Sequence, residues 1–218
     1  MNRRFERILG HAIEMIPGQE RFAYALSDTQ DLYDLLEWEK HGGYRGSVLY
    51  VYDLQSGAVH QPFPQVRDVA YGAPHYVAGA FYLLQGSVAE NRIAVYRYIP
   101  GQAPQCLFTL PADQVDLYNL RLIGNPVHLV SEDGDLFRSD SPEAFAFRLS
   151  PEESVLWIEG DKVYTQLWVE EGWDEENDCQ SPDYAYYYKT RIRDRTGSIL
   201  SEEVGSLFRA PTGEWWMS

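Results

Sequence analysis

One pattern limits what this chain can fold into. An apolar run, a glycine-containing turn and a second apolar run recur five times along 218 residues. The copies are residues 13–26 (IEMIPGQERFAYAL), 75–84 (HYVAGAFYLL), 120–130 (LRLIGNPVHLV), 155–167 (VLWIEGDKVYTQL) and 206–218 (SLFRAPTGEWWMS). Their turn glycines are Gly18, Gly79, Gly124, Gly160 and Gly213. Glycine suits tight hairpin turns because they often need a positive φ. A second hairpin follows each of the first four copies, beginning at Leu49, Ile93, Asp135 and Tyr186. Two hairpins make four antiparallel strands, the content of one propeller blade. The repeat is irregular but scatters around the roughly 40–45 residues of such a blade.

The fifth unit stops after its second strand, at Ser218. Residues 3–9 (RRFERIL) precede the first unit and have no place in it. Pairing them with the last unit would remove an exposed sheet edge, a liability of open sheets. The expectation is one all-β domain over residues 1–218. It is a five-bladed β-propeller whose three-stranded last blade is closed by the N-terminal strand. Aromatic residues make up 14% of the chain, with 16 Tyr and 6 Trp, which suits half-buried strands. A sandwich or open barrel would also give many short strands. The paired hairpins and the closure favour the propeller.

Residues 49–59 (LYVYDLQSGAV) carry a family resemblance. A hydrophobic strand ends in Asp and a short Ser-Gly turn follows. The segment resembles the outer hairpin of WD-type and quinoprotein-type propeller repeats, which implies a propeller fold. The chain has no Gly-His…Trp-Asp signature, and no functional residue carries over.

Two insertions break the rhythm, both between the second and third strands of their units. Residues 28–44 (DTQDLYDLLEWEKHGGY) predict a short helix. Asp28 caps it, Leu32, Leu35 and Leu36 share one face, and Gly42-Gly43 stop it. Its apolar face should dock on its own domain, leaving Trp38 as a candidate contact residue. Residues 170–183 (EEGWDEENDCQSPD) predict an acidic loop, with Trp173, Asp174, Glu175, Asp178 and then Tyr184 as candidate binding residues. Clustered carboxylates are what calcium takes, but the spacing of an EF-hand loop is absent. No cofactor is therefore assigned, with calcium as the one metal weighed. Both insertions should fall on one end of the ring, where loops on a rigid scaffold commonly carry function.

The formal net charge is −15. Such a surface repels phosphate backbones and anionic leaflets, which excludes nucleic acid and membrane surfaces as partners. Cys106 and Cys179 stand far apart, so neither a disulfide framework nor a zinc site is implied. No signal peptide is read at the N-terminus, and the expected location is cytoplasmic. G-x-S-x-G, HExxH and phosphate-loop motifs are absent. The enzyme option is glycoside chemistry, which needs two carboxylates some ~5–10 Å apart. His11, Glu14, His75 and Glu159 fall on or beside proposed inner strands and are the candidates to line a central channel. The leading expectation is a non-catalytic scaffold that binds a protein or a small-molecule ligand, with a lectin or small glycoside-active enzyme as the alternative.

Overall fold

A computed structural model describes residues 3–174, 176, 177 and 179–218. It is all-β, with one short α-helix and a single 3-10 turn (Ala112–Gln114) among the described residues, and contains every hairpin that the sequence rhythm marks. The first sheet runs β1 (Glu14–Met15), β2 (Phe22–Leu26), β3 (Leu49–Asp53) and β4 (Val59–His60) in chain order. In the second sheet, β5 (Ala70–Tyr71) and β6 (His75–Val77) both pair with β7 (Ala80–Ser87), followed by β8 (Arg92–Tyr98) and β9 (Gln105–Leu110). Pro74, which has no N–H for a ladder, lies between those two short strands. The third sheet is the meander β10 (Arg121–Ile123), β11 (His128–Asp133), β12 (Leu136–Ser141) and β13 (Phe145–Arg148). The fourth is β14 (Glu153–Glu159), β15 (Lys162–Asp174), β16 (Cys179–Arg193) and β17 (Ile199–Val204). The fifth has two strands, β18 (Leu207–Arg209) and β19 (Trp215–Met217).

The cores lie between consecutive sheets, as the alternation of each strand requires. Ile16, Val51, Tyr71 and Leu83 fill the space between the first and second sheets. Leu84, Val95, Leu122 and Leu129 join the second to the third. Val130, Phe137, Ile158 and Val163 join the third to the fourth. Trp157 and Trp215 join the fourth to the fifth, with ring centroids 5.7 Å apart. The fifth sheet meets the first at their turns. A Cβ on Gly213 would lie 3.4 Å from the Gly18 Cα, and one on Gly18 only 2.6 Å from Arg209 Nη2. Gly18 also has a φ of 96°, the left-handed region that favours glycine.

The N-terminal strand is not formed. Residues 3–9 hold no strand and lie on the first sheet, not the fifth. Phe5 packs edge-on against Tyr52 at 4.9 Å, and Leu9 joins the cluster of Ala23, Tyr50 and Val59. The Glu6 N–H donates to the Gly57 carbonyl at 2.9 Å, while its carboxylate accepts the Val59 N–H at 2.8 Å. That side-chain contact takes the place of a ladder bond. The face of the first sheet needs an apolar cover more than the last hairpin needs a third strand.

The first insertion forms a helix later and shorter than expected, α1 (Asp34–Lys40). Leu32 and Leu35, each 3% exposed, dock it on the core between the second and third sheets. Gly86 permits this, since a Cβ there would stand 2.6 Å from Leu32 Cδ2. Asp28 does not cap the helix. It accepts hydrogen bonds from Tyr44 (2.6 Å) and Ser47 (2.8 Å) and ties the base of the insertion. Asp31 takes the capping role, accepting the N–H groups of Tyr33 (2.8 Å) and Asp34 (3.0 Å).

Candidate functional site

The second insertion is not a loop. Its strand pattern continues outward, and β15 and β16 become a ribbon that leaves the fourth sheet. β14 pairs with β15 only up to Leu167, and β17 pairs with β16 only from Lys189. At the junction the Trp168 N–H still donates to the Glu152 carbonyl at 3.1 Å and the Tyr188 carbonyl accepts the Gly205 N–H at 2.9 Å; beyond it, among the described residues, the two strands pair only with each other. The acidic run hides this from sequence reasoning, because Glu170-Glu171 and the turn residues interrupt the apolar alternation. The register is Trp168 opposite Tyr188, Val169 opposite Tyr187, Glu170 opposite Tyr186 and Glu171 opposite Ala185. Trp168, Glu170, Tyr186 and Tyr188 therefore share one face.

Residues 168–188 hold seven carboxylates, six aromatic rings and no Lys or Arg. None of the rings is buried; Trp173 is 42% and Tyr186 62% exposed. Two carboxylates are positioned by neighbouring hydroxyls. Tyr184 donates to Glu170 at 2.6 Å, and Tyr187 donates to Glu171 at 2.9 Å. Both phenol pKa values rise because these bonds favour the protonated hydroxyl. Trp173 meets Tyr184 edge-on at 6.2 Å. Asp174 folds the turn, accepting from Asn177 Nδ2 (2.9 Å) and the N–H groups of Glu176 (3.0 Å) and Asn177 (3.1 Å). Those bonds hold its carboxyl below the usual carboxylate range. Glu175 and Asp178 lie outside the described residues. Among the described residues no group of three or more His, Cys, Asp or Glu could hold a metal.

The base of the ribbon is anchored by a buried charge. Arg193 donates twice to Glu153, from Nε at 2.8 Å and Nη2 at 2.6 Å, and Arg191 Nη1 donates at 2.9 Å. Thr165 adds its hydroxyl. Burial alone would raise the Glu153 pKa; the bonds from Arg193 and Thr165 outweigh it and bring the pKa down to about 2. Sequence reasoning missed this network. Its only signal is a set of charges on inward positions of otherwise apolar strands.

The other candidates are dispersed. Trp38, 40% exposed, donates its Nε1–H to Gln30 and stacks on Tyr44 at 5.8 Å, so it belongs to the helical insertion and not to the ribbon. His11 and Glu14 line a cavity of about 640 Å³, beside Tyr24 and Asp28. His11 stacks on Tyr50 at 5.7 Å, and Glu14 accepts the Tyr24 hydroxyl at 2.7 Å. His75 is buried with Nε2 3.0 Å from the Gly124 carbonyl, so that nitrogen donates. Burial pushes its pKa down to about 4, and the ring stays neutral. Glu159 accepts the Trp157 Nε1–H at 2.9 Å and lines a separate cavity of about 220 Å³ with Tyr164, Leu207 and Trp215. Glu14 and Glu159 thus line different cavities.

No family model, curated protein or solved structure matches this chain. No helix among the described residues is long and apolar enough to cross a membrane.

Proposed function

We propose that this chain is a binding scaffold of five-bladed propeller architecture, with the β15–β16 ribbon as its recognition element. The contacts between consecutive sheets, and between the Gly18 and Gly213 turns, support the ring. The observation that carries the functional reading is the ribbon's extension beyond its sheet with Trp173 and Tyr186 exposed and its other aromatic rings only partly covered. An isolated two-stranded hairpin is marginally stable in water, and exposed Trp and Tyr offer large, rigid contact surfaces at interfaces. Unpaired, exposed Cys106 and Cys179 suit a reducing compartment such as the cytoplasm.

The test uses a truncated chain in which residues 169–187 are replaced by Asn-Gly, which keeps Trp168 opposite Tyr188 and supplies a tight turn. Peptides selected from a random display library on the intact protein should fail to bind the truncated one. Equal binding to both, or turnover in a broad hydrolase screen, contradicts the reading.

One observation favours a second reading, glycan binding. The 220 Å³ cavity is lined by Trp157, Tyr164, Trp215 and the Glu159 carboxylate, with Arg209 lying 4.4 Å over the Trp157 ring; this mix of aromatic and polar groups suits a ring with one apolar face and a hydroxyl edge. Saturable quenching of tryptophan fluorescence by a monosaccharide, lost in Trp215→Ala, would support it. Linear quenching across a sugar panel would oppose it.

A further inference from the structure

We propose that the aromatic face of the ribbon takes an extended segment of a partner polypeptide rich in arginine and lysine. This rests on the ribbon being the recognition element, and adds the chemistry of what it recognises.

Three features point the same way. The first is ring placement. Trp168, Tyr186 and Tyr188 lie on one face by register and none is buried. A cation over an exposed ring is attracted by its quadrupole, and arginine also stacks on it. The second is carboxylate placement. Glu170 stands opposite Tyr186 on that same face and accepts the Tyr184 hydroxyl. A guanidinium resting on a ring therefore has a carboxylate beside it. The third is charge imbalance. Among the described residues, no salt bridge reaches Glu170, Glu171, Asp174 or Asp183. The nearest cations in sequence, Lys189 and Arg191, bind Glu202 and Glu153 at the base.

The competing occupants fit less well. An apolar partner would bury these carboxylates unpaired, which is costly. An anionic one would be repelled. For a hard cation, Asp174 is already engaged by its own turn. Same-face side chains of a strand recur about every 7 Å, so an extended peptide with a basic residue at alternate positions matches the ribbon's spacing.

The experiment measures fluorescence polarisation of a labelled (Arg-Ser)4 peptide, with (Gln-Ser)4 and (Glu-Ser)4 controls. The intact protein should bind the arginine peptide saturably and more weakly as salt rises. Binding should vanish in the truncated chain. The pair E170Q/E171Q should weaken it about tenfold, and Tyr186→Ser, at unchanged charge, about threefold. The pair E20Q/E39Q removes the same charge from exposed positions elsewhere and should change it less than about twofold. Equal losses from the two glutamate pairs would overturn the proposal by reducing it to bulk attraction, as would an unchanged affinity in Tyr186→Ser. Ribbon-dependent binding of the glutamine peptide in preference to the arginine peptide would overturn the basic partner while leaving the recognition ribbon standing. If no peptide, selected or designed, depends on the ribbon, both fall.

Discussion

The two halves of the β15–β16 hairpin share strands but differ in what surrounds their charges. At the base the strands are inner members of a four-stranded sheet, and Glu153 is enclosed by Arg191, Arg193 and Thr165. At the tip they pair only with each other, and the carboxylates meet tyrosine hydroxyls and solvent. The first arrangement fixes the fold. The second leaves charge and aromatic surface available to something outside it. A charge matters to folding when its partner is buried with it; it matters to recognition when the partner must come from elsewhere.

The largest expected effect breaks the base. Glu153→Ala leaves two arginines without their carboxylate and should cost ~3–5 kcal/mol in urea unfolding. A loss under about 1 kcal/mol would mean the network is not the anchor described here.

Acid should read the same contrast. The folded Glu153 pKa of about 2 lies below the usual carboxylate value. Its contribution is present above about pH 4.5 and is lost as pH falls toward 2. His75 and His128, both lowered to about 4 by burial, act earlier. Their neutral forms are favoured in the fold, so their contribution is complete above about pH 6.5 and declines below it. Glu153→Gln should flatten the stability profile between pH 4.5 and 2 and leave the pH 6.5 to 4.5 region unchanged.

A matched pair of truncations sharpens the comparison further. Val163 is fully buried at the base, and Val169 is half-buried on the ribbon. Val163→Ala should cost ~1–3 kcal/mol, and Val169→Ala less than about 0.5. Trp173→Ala is the smallest case. Its thermal midpoint should match that of the intact chain, since an exposed side chain away from the core contributes little. A clear drop would show that Trp173 holds the ribbon together, not a partner.

Much of the fold was legible because hairpins write themselves locally. Gly18, Gly124 and Gly160 mark turns, and the runs beside them alternate with the period of a strand. What connects distant parts was not. Residues 3–9 read as a strand awaiting an edge, but Phe5 and Leu9 gain more by covering Tyr50 and Tyr52. Asp28 read as a helix cap because its hydroxyl partners, Tyr44 and Ser47, are far along the chain. The site was half legible. Trp173, Asp174 and Tyr184 stand out by composition and all lie on the ribbon, where Trp173 meets Tyr184 and Asp174 folds the turn. The ribbon itself was hidden, because a charge run usually marks a solvated loop. The inner-strand candidates, chosen by position alone, divide between two cavities and a buried structural histidine.

Amide hydrogen exchange on the free protein tests the central contrast most directly. Amides of Val163 to Leu167 should exchange slowly, near the rate set by global unfolding. Ladder-bonded amides of Val169 to Asp174 should exchange at least about a hundredfold faster, because opening the ribbon disturbs no core. Equal protection of the two segments, independent of protein concentration, would mean the ribbon is covered by its own chain, contradicting a free recognition element.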